Sequence, residues 1–146
     1  MAMVRAKYIA EALGGRKVLK ADLGSTRALL RGVEAGLPYG SLEAITARFG
    51  LSRADVAAAL RLPPRTLARR KRERKLPADE SDRLVRLARI AADAARVLGD
   101  ERKAGSWLRD ENVALGGERP IGLLNSDLGA RQVEDVLGRI EFGVYS

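Results

Sequence analysis

Leu29, Leu30 and Val33 fall on one side of a helix that the apolar pattern predicts over Ser25–Ala35, with Ser25 as its cap and Gly36 as its stop. A second helix is predicted from a Ser41 cap through Phe49, with Leu42, Ile45 and Phe49 at i, i+3 and i+7, and Gly50 ending it. Ser52-Arg53-Ala54-Asp55 then has the form of a capping box, with Asp in place of the stronger Glu. The helix it opens carries Val56 and Leu60 on one face. Leu62-Pro63-Pro64 breaks that pattern, and Pro64 suits the first turn of another helix. This next helix, Arg65 to about Arg74, buries Leu67 and is otherwise basic; Leu76-Pro77 closes the unit.

The longest periodic stretch follows. From Asp79 or Ser81 to Leu98, a stripe of Leu84, Leu87, Ala88, Ala91, Ala95 and Leu98 predicts one long helix that Gly99 ends. It covers only about two heptads, so intramolecular core is favoured over a coiled coil. Asp100 can cap a shorter helix with Ala104, Trp107 and Leu108 on one face. Asn112–Pro120 reads as a loop, and Gly116-Gly117 as a turn rather than a phosphate cradle, because no helix N-terminus with a Lys follows. Ile121–Leu124 suits one helical turn. Ser126 or Asp127 opens a last helix with Val133, Val136, Leu137 and Ile140 inward and Gly143 as its stop. Met1–Lys20 is poorly legible, with Gly14-Gly15 interrupting a weak pattern.

Composition agrees with an all-α protein of several small helices. Apolar residues make up 46% of the 146 positions but aromatics only 4%, so Leu, Ala, Val and Ile must build the core. With no Cys and no His, disulfides, the usual zinc sites, Cys–His pairs and Ser-His-Asp triads are excluded. No carboxylate pair has a setting that suggests catalysis, so neither an enzyme, a metal nor a cofactor is expected. No apolar run has signal-peptide or membrane-span length, and a cytoplasmic protein without membrane association is the plain reading.

Charge divides the chain. Residues 1–80 hold 17 Lys/Arg against 8 Asp/Glu, whereas residues 81–146 hold 10 against 11. The basic half therefore suggests a polyanionic partner, and the two halves suggest different partners. The layout predicts an N-terminal helical segment over 1–40, suited to dimerisation, and a helix-turn-helix over 41–78. The long central helix and a C-terminal unit fill 79–146.

Between Arg61 and Lys75 stand eight basic residues and one acidic residue. In a helix-turn-helix the second helix enters the major groove while the first crosses the backbone. Arg65, Arg69 and Arg72 lie at i, i+4 and i+7 on one face, Arg70 and Arg74 on an adjacent one, and Lys71 points elsewhere. One or two of Arg65, Arg69 and Arg70 are expected on bases, guanine being the natural partner. Lys71, Arg72 and Arg74 would neutralise phosphates. Thr66 suits a phosphate or a thymine methyl, and Ser52 and Arg53 at the first helix's start complete the DNA-binding set. The alternative is a solvated basic face whose charge only complements a helix C-terminus.

These residues carry a resemblance. Arg65-Thr66-Leu67-Ala68-Arg69-Arg70, then Leu76 and Glu80-Ser81-Asp82-Arg83-Leu84, resemble Xre-type antitoxins of bacterial type II toxin–antitoxin pairs. Trp107-Leu108, Leu115-Gly116-Gly117, Pro120, Leu123-Leu124, Gly129, Val133 and Arg139–Tyr145 resemble the C-terminal toxin-binding domain of the Xre/MbcA/ParS type. Gly36-Leu37-Pro38 fits the region ahead of the helix-turn-helix, so the likeness runs from Leu29 to Ser146. It implies a RES-domain toxin that depletes NAD as partner. It also implies that the C-terminal domain covers that toxin's active site, and that the helix-turn-helix represses the antitoxin's own operon.

Two C-terminal features admit two readings each. Trp107 either fills the core or meets the toxin directly. Phe142, Val144 and Tyr145 either fold back on their own domain or form a short plug, with Gly143 and the terminal Ser146, flanked by Arg139 and Glu141; the resemblance favours the plug. The alternative function is a stand-alone helix-turn-helix repressor whose C-terminal domain dimerises or senses a ligand. A homodimer is expected, since two-fold operators are read by two-fold proteins.

Overall fold

A computed structural model describes residues 4–143. Among these residues there are nine α-helices, two 3-10 turns and no strand, an all-α protein of the kind the composition favours. The helices are α1 (Ala6–Ala12), α2 (Gly15–Leu19), α3 (Thr26–Ala35), α4 (Tyr39–Phe49), α5 (Arg53–Ala59), α6 (Pro64–Glu73), α7 (Ala78–Leu98), α8 (Glu101–Arg109) and α9 (Asp127–Glu141). The 3-10 turns, Val113–Leu115 and Pro120–Leu123, lie between α8 and α9.

Side-chain caps set most of the helix starts that the pattern locates. Oxygens of Ser25, Ser52, Asp100 and Ser126 accept from the backbone N–H three residues on, at 3.1, 3.0, 2.7 and 3.1 Å. Ser126, not Asp127, is therefore the cap of α9. Ser41 is not a cap. It is fully buried inside α4, which starts two residues earlier at Tyr39 with Pro38 in extended conformation before it. The reason is tertiary: Leu37 and Pro38 form a short strap against Arg74–Leu76, through Leu76 N–H to the Leu37 carbonyl and Tyr39 N–H to the Arg74 carbonyl. That strap fixes the chain direction before Ser41 is reached.

Helix α7 is the axis of the molecule. Leu84, Leu87, Ala88, Ile90, Ala91 and Ala94 are at most 1% exposed, a wider arc than the expected stripe, in which Ala95 and Leu98 are only half-buried. This helix packs against α1, α3, α8 and α9, so it serves as intramolecular core. The poorly legible N-terminus supplies part of that core through Ile9, Ala10, Ala12 and Leu13. Gly14 and Gly15, at φ 106° and 65°, reverse the chain into α2. One apolar cluster runs from Ile9 to Leu137 and takes residues from every part of the described chain.

Candidate nucleic-acid and partner-binding sites

Helix α5, the turn Leu60–Pro63 and α6 make the helix-turn-helix. Val56, Ala59, Leu60 and Leu62 bury the inner side of the motif. Arg61 takes a left-handed φ of 58°, and Leu62 N–H reaches back to the Ala57 carbonyl at 2.8 Å. Two prolines then launch α6: Pro63 caps it in extended conformation and Pro64 occupies its first position, where a missing N–H costs nothing.

No residue of α6 is fully buried; Leu67, expected in the core, is half-buried, as is Thr66. Arg65, Arg69, Lys71 and Arg72 are exposed, and none of them forms an ion pair with a carboxylate among the described residues. Arg53 is likewise exposed and unpaired at the start of α5, whereas the Ser52 hydroxyl is engaged as the helix cap.

Two expected contacts change character. Arg70 is turned inward: Nε and Nη2 donate to Glu80 Oε1 and Oε2, both at 2.7 Å, and Nη1 donates to Glu73 at 3.1 Å. All three guanidinium nitrogens are engaged, and the carboxylates hold its pKa above the usual arginine value. Arg70 is thus held by carboxylates of its own chain, unlike the exposed Arg65, Arg69, Lys71 and Arg72. Arg74 is outside the helix, at φ 62° in the left-handed cap, because the chain must turn there into the strap with Pro38. The expected Arg70/Arg74 face does not form.

The C-terminal unit is docked on this motif by long-range arginines. Arg119, just ahead of the second 3-10 turn, forks onto Asp55 of α5 at 2.5 and 3.2 Å, and its Nε donates to the Arg109 carbonyl. The Arg119 guanidinium, chiefly by its hydrogen bond, holds the Asp55 carboxyl below its ordinary pKa. Arg61 reaches the Asn125 carbonyl at 2.7 Å and Arg83 of α7 the Leu60 carbonyl at 3.0 Å, while Arg86 of α7 holds the Leu124 carbonyl at 3.3 Å within the C-terminal half. Sequence reasoning missed these ties: pairs 64 residues apart, as Asp55 and Arg119 are, leave no periodic signal.

On α8, Trp107 is half-buried against the core. Gly116 and Gly117, at φ 68° and 87°, make the expected turn, whose N–H groups return to Val113 and Asn112. A cleft of about 490 Å³ lies between this turn and α9, lined in part by Gln132, Asp135 and Arg139. Glu141, expected to face a partner, instead pairs with Arg96 of α7, which also holds Asp93 at 2.7 Å; the Arg96 hydrogen bond lowers the Glu141 pKa. Phe142 is 64% exposed and Gly143 is exposed beside it. Val144, Tyr145 and Ser146 lie outside the described residues.

Residues 28–89 match the family model of the antitoxin Xre-like helix-turn-helix domain, and residues 93–143 that of the antitoxin Xre/MbcA/ParS C-terminal toxin-binding domain. A protein of Yersinia enterocolitica named Antitoxin Xre is 30% identical over 120 residues, which is 81% of this chain and 81% of that protein. The chain belongs to the Xre antitoxin family. An Antitoxin Xre of Photorhabdus laumondii is 31% identical over 113 residues, 76% of each chain. One of Pseudomonas putida is 41% identical over 83 residues, 56% of this chain and 52% of the other. In this Xre-family antitoxin the first matched segment ends and the second begins inside α7, at residues 89 and 93. No described helix is long and apolar enough to cross a membrane.

Proposed function

We propose that this antitoxin represses its own operon through α5 and α6 and inhibits a RES-domain, NAD-degrading toxin through its C-terminal end. In this reading residues 41–78 meet DNA, residues 79–146 meet the toxin, and residues 1–40 support a homodimer. The protein works in the cytoplasm and has no catalytic role or cofactor of its own.

The observation that carries the DNA half is the exposure of Arg65, Arg69, Lys71 and Arg72, without an ion-pair partner among the described residues, on a helix with no fully buried residue. A merely solvated face would gain from acidic partners, and α6 has such a partner only at Arg70. Arg65 and Arg69, one turn apart, are the base-reading pair; Lys71, Arg72 and Arg53 meet phosphates, with Thr66 beside them. For the toxin half, support comes from the toxin-binding family match and from Phe142 standing exposed where the chain leaves α9. In this reading Phe142–Ser146 enter the toxin's active site, and Arg139 of α9 contributes a charged contact.

Replacing Arg65 and Arg69 together by Ala should abolish specific binding to a fragment of the antitoxin's own promoter, at about 1–3 kcal/mol per bidentate contact. Toxin binding by the same variant should stay at the wild-type level. Retained operator affinity sinks the DNA assignment; loss of both activities places the two arginines in the fold instead.

A further inference from the structure

A recognition helix must be held at one angle if its side chains are to meet base edges, and α6 has few means of being held. Leu67 is its best-buried apolar side chain and is only half-buried. Its C-terminal end is tied by the strap, where Tyr39 N–H donates to the Arg74 carbonyl at 3.1 Å. Between these stands the Arg70–Glu80 fork, with two hydrogen bonds of 2.7 Å. Glu80 is 6% exposed and sits in the first turn of α7, where the helix dipole favours a carboxylate. The next residue, Ser81, accepts the Leu37 N–H at 2.8 Å, so this turn is anchored to the strap as well.

Charge also keeps Arg70 away from a phosphate. Its guanidinium already lies between two carboxylates, Glu73 and Glu80, so these three groups together carry net negative charge. Drawing Arg70 out to DNA would leave the Glu80 carboxylate buried without a counter-charge, which is strongly unfavourable.

We propose that Glu80 is a positioning residue for DNA binding: its clasp on Arg70 sets the angle of α6 against α7, and Arg70 itself does not touch DNA. This rests on the reading of α6 as the recognition helix. The clasp exchanges a potential DNA contact for orientation of Arg65 and Arg69.

The test uses the full chain, a fragment of its own promoter, and the variants Glu80→Gln, Arg70→Lys and Arg70→Ala. Operator affinity is measured across a salt series, and amide hydrogen exchange is measured without DNA. The expected result is a loss of about tenfold in affinity for each variant, because the supporting contact is loosened. The dependence on log salt should be unchanged, since no phosphate contact has gone. Exchange should quicken along α6 in Glu80→Gln while the amides of α8 and α9 stay as in the wild type. Arg70→Lys separates the roles, because a phosphate ligand survives as lysine and a two-pronged clasp does not. The proposal is overturned if Glu80→Gln or Arg70→Lys binds like the wild type. A salt slope flatter by about 0.9 in Arg70→Ala, the signature of a lost phosphate contact, also overturns it. If the wild-type chain shows no salt-dependent promoter binding, the DNA reading fails, and exchange along α6 still decides whether the clasp exists.

Discussion

Arg69 and Arg70 are adjacent, identical in type and used in opposite ways. Arg69 is exposed and unpaired on α6, while Arg70 is folded onto a buried Glu80. Helical spacing separates their faces but cannot say which face meets a carboxylate ten residues further on. Asp55 poses the same difficulty: in sequence it completes a capping box, and in the fold it receives Arg119 from 64 residues away. That pair carries a pH prediction. The Asp55 pKa is lowered from 3.8 by its Arg119 hydrogen bond, so its stabilisation is complete above pH 3.8 and disappears as the pH falls through the depressed value. Asp55→Asn should therefore cost roughly 1 kcal/mol at neutral pH, the partial exposure of Arg119 keeping the figure small. Denaturation midpoints of variant and wild type should converge in strong acid; a constant gap between them would assign the loss to something other than the ion pair.

Helix starts marked by a side-chain cap were legible because the capping bond is local. Ser25, Ser52, Asp100 and Ser126 each bond within their own turn. Helix α4 was misplaced at its start because its entry is set by Pro38 and by the strap with Lys75, a contact the local sequence does not contain. Helix α1 was missed since it is seven residues long, has no capping side chain, and gains its stability by burying Ile9, Ala10 and Ala12 on other elements. Packing between elements also explains Gly105 in α8. A Cβ there would stand 1.7 Å from the Phe49 carbonyl oxygen of α4, a backbone atom that cannot rotate away. Gly105→Ala should destabilise by about 2–3 kcal/mol, read as a lower urea midpoint. A midpoint equal to the wild type would mean that α4 and α8 separate at little cost.

For the whole molecule, two family domains share one core. The family matches divide inside α7, and the apolar cluster crosses that division without a break. Unfolding should therefore be a single transition. Trp107 fluorescence, reporting the C-terminal unit, should follow the same urea curve as helical circular dichroism; an earlier Trp107 transition would show two independent units. The charge asymmetry, read directly from the chain, belongs to this scale too, with the basic half carrying α6 and the near-neutral half carrying α8 and α9. The proposed function has DNA meeting α6 and the toxin meeting the C-terminal end of the chain. Its most direct test is cellular NAD after induction of the proposed RES-domain toxin, with the wild-type antitoxin, the Arg65→Ala/Arg69→Ala variant or a chain ending at Gly143 supplied from an independent promoter. NAD should be preserved by the first two and lost with the third. Full protection by the chain ending at Gly143, or none by the double variant, would contradict the account.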